Sequence, residues 1–230
     1  MTDNLNENSA ETMFGSRALA AWEIASVVSS AFIAEWISAV ATGRTRLTIA
    51  IPVSLAFLFM LASHRLHGES LRDLGLRLDN FWRALKLLLA LMLVVAIVSL
   101  TIGLLSGAKP NVLRWHPERL LLAQLALGFG WGLVQQYVLQ AFFNRRAQIV
   151  WGQGPISVLI TALIFAALHF PNPWLMLVTF VGGLLWALIY QRAPNLLALA
   201  ISHSVMTWVL VSTLPASALY HLRIGFKYFT

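Results

Sequence analysis

The 230-residue sequence has no cysteine, only nine acidic residues and only 11% charged residues. Without cysteine there is no disulfide framework, no thiolate nucleophile and no Cys-ligated metal. The scarcity of charge excludes an ordinary soluble domain, in which about 25% of residues are charged. No aspartate follows Asp79, and the last acidic residue is Glu118. Residues 119–230 thus hold six bases and no acid, so a carboxylate serving a site there must come from Glu23, Glu35 or Glu118. Also missing are His-Glu-x-x-His, Gly-x-Ser-x-Gly and a Walker lysine after Gly128, Gly130 and Gly132. These absences exclude a zincin, a serine-hydrolase elbow and a phosphate loop. Two histidines without a third ligand fall short of a zinc set, so no metal and no cofactor is expected.

What the sequence does have is apolar length. Apolar residues make up 59%, against about 45–50% in an average soluble chain. Residues 47–64, 87–108, 120–144, 147–191 and 193–222 contain no Asp, Glu, Lys or Arg, and 18–43 contain only Glu23 and Glu35. About 20 apolar residues of helix cross a bilayer core. The pattern predicts an all-α, polytopic membrane bundle of about seven to eight transmembrane helices. Spans are expected at about 18–41, 47–63, 84–106, 119–143, 155–170, 174–191 and 195–213. Breaks are marked by Gly43, Gly107, Pro110, Gly152 to Pro155, Pro171 to Pro173 and Pro194-Asn195. Residues 214–222 are too short to cross upright and suit a re-entrant turn or the stub of an eighth helix.

Residues 1–16 carry Asp3, Glu7 and Glu11 with no base, which fits a disordered tail rather than a secretory signal. Residues 17–230 then form one membrane domain. The net charge of +7 lies between apolar spans, where lipid headgroups and the positive-inside bias account for it, so no nucleic-acid partner is implied. Bases divide nine to seven between the two sides, which favours a cytoplasmic N-terminus. Leu71, Leu74, Leu78, Phe81, Trp82 and Leu85 alternate with charged residues at near-helical spacing. They predict an amphipathic interfacial helix or the connection that orients the protein.

Polar groups inside spans carry the functional information, because leaving them unsatisfied in hydrocarbon is costly. Gln136, Gln140 and Asn144 fall at i, i+4 and i+8 on one helix face, with Gln135 about 100° round from Gln136. Phe165 and His169 share a face, as do His203 and Thr207, and Asn172 lies in the break after His169. These groups are expected to meet around a water-accessible hollow; the plain alternative is that they join helices by hydrogen bonds. Gly128, Gly130, Gly132 and Gly182-Gly183 read as close packing points or local flexibility.

This succession resembles the CPBP family of membrane proteins, which includes type II CAAX prenyl endopeptidases and bacteriocin-processing or immunity proteins. The resemblance covers about residues 70–210. The family's Phe-x-x-x-His is present as Phe165-Ala-Ala-Leu-His169, and its His-x-x-x-Asn in part as His203-Ser-Val-Met-Thr207. Leu74-Gly75-Leu76-Arg77 and the stretch from Gly182 to Asn195 also have the family's look. Its Glu-Glu-x-x-x-Arg is replaced by Gln135-Gln136-Tyr-Val-Leu-Gln140, which keeps shape and hydrogen bonding while removing every charge.

The resemblance implies that His169 binds or polarises a water, and that His203, with Thr207 in place of Asn, holds an oxyanion. Gln135 and Gln136 can orient that water but cannot take its proton. A general base contributes about 10²–10⁴ in rate, so either His169 itself or Glu35 from the first span would have to substitute.

Three functions follow as expectations. One is an intramembrane endopeptidase acting on a membrane-proximal peptide in the plasma (inner) membrane. A second is a non-catalytic scaffold or immunity-type relative that binds a peptide or a membrane-protein partner. The third is a small-molecule or proton transporter using Glu23 and Glu35.

Overall fold

The computed structural model describes residues 2–37, 46–112, 120–215, 217, 219 and 222–229, with side chains from Gly15 in the first helix and from Ala50 in the second. Gly43 and Glu118 lie outside the described residues, as do the ends of the first and fourth expected spans. The described chain is helical: α1 (Thr2–Phe32), extended by a π turn at Ile33–Ile37, then α2 (Arg46–Leu66), α3 (Phe81–Leu105) and α4 (Leu121–Gln136). A π-helical segment, Tyr137–Asn144, joins α4 to α5 (Arg145–Trp151). There follow α6 (Pro155–Ala167), α7 (Pro173–Arg192), α8 (Leu196–Thr213) and a 3₁₀ turn at Gly225–Phe229.

Four helical stretches are long and apolar enough to cross a membrane: Gly15–Ile37, Phe81–Leu105, Pro173–Arg192 and Leu196–Thr213. Ala50–Leu66 and Pro155–Ala167 are shorter apolar helices. With large apolar side chains exposed along α2, α3 and α7, the protein is an integral membrane protein whose outer surface suits acyl chains.

Local chemistry explains the helix starts. Pro173 and Pro155 occupy first-turn positions, where the missing N–H is not needed. Asn172 and Asn195 cap α7 and α8, their side chains accepting from Leu175 N at 3.1 Å and Ala198 N at 2.9 Å. The main core lies where α3, α4, α6 and α7 pack on α8, around Leu88, Phe165, Trp186, Leu196 and Leu199. A smaller one joins α1, α2 and the π segment through Val27, Met60, Phe142 and Phe143.

Three expectations need correction or restatement. The amphipathic stretch from Leu71 is not one helix, since turns occupy 71–75 and α3 starts only at Phe81. Its charges close local turns instead: Ser70 Oγ donates to Asp73, and Arg77 pairs with Asp79. Gly75, at φ +90°, brings this loop against the α7–α8 junction, where its carbonyl accepts from Leu196 N at 2.9 Å. A Cβ at Gly75 would lie only 3.2–3.3 Å from Tyr190 and the Asn195–Leu196 backbone. The helix of the fourth expected span does not end near 143 but continues as one helical rod to Trp151. Its π segment adds residues without breaking the apolar run, so hydropathy gave no sign of it. Finally, α1 begins at Thr2, so helix occupies the stretch expected to be a tail, while the apolar span within it starts at Gly15.

Candidate functional site

α4 and α8 pack side by side because Gly132 has no side chain. A Cβ there would lie 3.0 Å from Ala200 O and 3.2 Å from His203 Cβ. α6 and α7 approach likewise at Gly183, whose Cβ would meet Ala162 Cα at 3.0 Å. Gly130 faces open space, so of the α4 glycines this one does not serve packing.

Between these helix pairs lies a cavity of about 450 Å³, onto which Gln135, His169, His203 and Thr207 all open, together with Gln124 and Thr179. A second chamber of about 250 Å³ shares Gln135, Phe165 and His169 with the first and adds Glu35 and Trp36 from the end of α1. Four of the sequence-derived candidates therefore meet in one cavity, and Glu35 reaches its neighbour.

The two imidazoles are held differently. His169 sits in the turn just after α6, its ring edge-on to Phe165 with centroids 4.8 Å apart. Its Nδ1 is 2.7 Å from the Phe165 carbonyl oxygen. A carbonyl can only accept, so Nδ1 carries the hydrogen and Nε2 of the neutral ring is left as an acceptor. His203 stacks on Trp186, with centroids 4.6 Å apart and planes 11° apart. Its Nδ1 is 3.0 Å from Gln136 Nε2, an amide nitrogen that can only donate. Nδ1 therefore accepts, and the hydrogen of a neutral His203 lies on Nε2. Trp186 is itself fixed by donating to Ser202 Oγ at 3.2 Å.

The glutamine stripe divides between two environments. Gln135 opens on the cavity, while Gln136 is buried behind His203. Gln140 and Asn144 face α7 instead: Asn144 Nδ2 donates to Gln140 Oε1 at 2.8 Å, and Gln191 Nε2 donates to Asn144 Oδ1 at 2.9 Å and to Ser157 Oγ at 2.9 Å. The position matching the family's arginine is thus part of a neutral amide network away from the imidazoles. Asn172 is also structural in its contacts. Besides capping α7, its Nδ2 donates to Leu219 O at 2.9 Å and Arg223 O at 3.2 Å, tethering the C-terminal segment that supplies Leu219, Leu222 and Ile224 to the cavity wall.

Glu23, one of the two carboxylates of the transporter expectation, is not free. It is only 2% exposed, and Arg146 Nε lies 2.7 Å from its Oε2. Ser63 Oγ donates to the other oxygen at 2.6 Å, and His67 is 3.2 Å away. Arg146, fully buried, also donates to Glu69, which Arg145 and His64 hold as well. Burial would raise the Glu69 pKa, but hydrogen bonds from His64, Arg146 and Arg145 override it and hold the carboxyl far below its ordinary range. This cluster removes Glu23 from a two-carboxylate transport path. Sequence reasoning missed its members Ser63, His64 and Glu69, and also Gln124 and Gln191. The available signal was a buried Arg146, whose charge in an apolar interior requires acidic partners. Among the described residues no group of three His, Cys, Asp or Glu side chains is arranged to hold a metal ion.

The fold and the cavity define a helical membrane protein with two histidines of opposite hydrogen-bond character on one internal hollow. Residues 117–209 match a family model described as Rce1-like, type II CAAX prenyl endopeptidase. That segment contains Gln135, Gln136, His169, His203 and Thr207, and over it the chain is similar to CAAX protease-like membrane proteins of the CPBP type. No curated protein and no solved structure matches the chain significantly.

Proposed function

We propose that the protein is an intramembrane endopeptidase of the plasma (inner) membrane that hydrolyses a membrane-proximal peptide, the prenylated CAAX end being the substrate class that the family description suggests. One observation carries this reading: the pairing of an acceptor imidazole and a donor imidazole on one cavity. His169 Nε2 can accept a hydrogen bond from water and orient it. His203 Nε2–H can donate to the oxygen of a scissile carbonyl as that oxygen becomes negative. Gln136 acts through His203 by fixing its tautomer, Gln135 can orient the water, and Thr207 offers a hydroxyl donor on the same wall.

The test is hydrolysis by protein reconstituted in liposomes, using a fluorogenic farnesylated Cys-aliphatic-aliphatic-X peptide beside its unmodified counterpart. Cleavage is expected in the wild type and absent in His169→Ala; cleavage that survives in His169→Ala rejects the reading.

A second reading rests on the amide network. Gln140 is fully buried and bonded to Asn144, so the motif's lost charges have been replaced by neutral joinery. A partner-binding relative without turnover would retain such a fold. Saturable binding of the same peptide with no product would favour it.

A further inference from the structure

We propose that Glu35 is the proton acceptor of this site, a carboxylate brought by α1 to the chamber in which the family's glutamate position is Gln135. This assignment rests on the endopeptidase reading above and deepens it. Three independent observations support it. First, Glu35, Gln135 and His169 line the same chamber, and among the described residues no other acidic side chain lines either chamber. Second, Glu35 is half-buried in an apolar span, yet among the described residues it makes no hydrogen bond or ion pair. Carboxylates within membrane spans are ordinarily paired or turned to a wet cavity, and the other one here, Glu23, is bound to Arg146 and Ser63. Third, the backbone makes special room for it. Glu35 sits in the π turn Ile33–Ile37, a type of distortion that is frequent at functional sites. Opposite it, Gly225 adopts φ +57°, and a Cβ there would lie 2.9 Å from Glu35 Cβ and 3.0 Å from its Oε2.

The same glycine ties Glu35 to the histidine turn. Gly225 N donates to Phe170 O at 2.9 Å, and the Trp36 ring lies 5.7 Å from that of Phe170. Glu35 is thereby held, from outside the 117–209 segment, on the wall of the chamber that His169 also lines. In the reaction, the water oxygen forms a bond to the scissile carbonyl carbon while one water proton passes to the Glu35 carboxylate. The carbonyl oxygen becomes an oxyanion that accepts from His203 Nε2–H. As the C–N bond breaks, the proton on Glu35 passes to the leaving nitrogen, and the products are an acid and an amine.

The experiment measures kcat and KM on the farnesylated peptide for wild type, His169→Ala, Glu35→Gln and the Glu35→Gln/Gln135→Glu pair. The expected result is a fall in kcat of about 10²–10⁴ in Glu35→Gln, with KM near wild type. Partial recovery of kcat is expected when Gln135→Glu returns a carboxylate to the same chamber. Wild-type kcat in Glu35→Gln, alongside inactive His169→Ala, overturns this assignment and leaves the endopeptidase reading intact. Lost activity with a collapsed melting transition and no recovery in the pair also overturns it, by making Glu35 structural. No hydrolysis by the wild type overturns both.

Discussion

The amide nitrogen of Gln136 lies 3.0 Å from Nδ1 of His203, and this contact decides which nitrogen of that ring carries the proton. A side chain at a position where the family has a glutamate thus acts on the cavity without facing it.

Replacing Gln136 by Leu should leave Nδ1 unpaired and lower kcat by about 10²-fold, the scale of losing one oxyanion donor, with little change in KM. Unfolding should become easier by about 1–3 kcal/mol. Gln136→Glu should draw the proton to Nδ1. Nitrogen-15 NMR of the His203 ring separates the two tautomers, and an unchanged tautomer in Gln136→Glu would contradict this account.

Arg146 is fully buried against Glu23 and Glu69. Substituting Met leaves two carboxylates without their main partner and should cost about 3–5 kcal/mol. Arg146→Lys should be milder, because one ammonium cannot satisfy both acids. Melting in detergent reads the series, and equal stability of Arg146→Met and wild type would refute it.

Acid should weaken the same cluster. Because the folded-state pKa of Glu69 is depressed, its stabilisation is present in full above the ordinary value of 4.5 and is lost as pH falls from there towards the lowered value. The melting temperature should therefore hold steady at neutral pH and decline below about 4.5. In Glu69→Gln the curve should be lower and flatter. A wild-type melting temperature that does not move on acidification would exclude this coupling.

Asn172→Ala should remove the α7 cap at a cost of about 1 kcal/mol. It should also release Leu219 and Arg223 from their tether, so limited proteolysis after Arg223 should accelerate. Unaltered cleavage there would mean that the segment is held by other contacts.

Much of the helical frame was legible because apolar runs and their Pro and Gly interruptions report membrane helices directly. Pro173 after Asn172, and Asn195 after Pro194, mark real helix starts for local reasons. The Leu71–Lys86 stretch misled because alternating charge resembles an amphipathic helix, whereas Ser70–Asp73 and Arg77–Asp79 close turns beside Gly75. The π segment was invisible, since its extra residues are as apolar as the rest. The motif histidines could be singled out by residue type and spacing. What could not be read was orientation: Gln135 and Gln136 are neighbours in sequence, but one opens on the cavity and the other supports a ring. Nor does local sequence pair Glu23 with Arg146, because that contact depends on how α1 lies against α5.

The helical rod from Leu121 to Trp151 carries Gln136 and Arg146 ten positions apart, with the π-helical Tyr137–Asn144 between them. Its charged level is clamped by acids from α1 and from the loop after α2, and this clamp sets the depth at which Gln136 reaches His203. A slip of a single residue, about 1.5 Å, would pull the amide out of range of the ring. The proton position on one imidazole therefore depends on the register of a rod whose charged level is held ten residues further along.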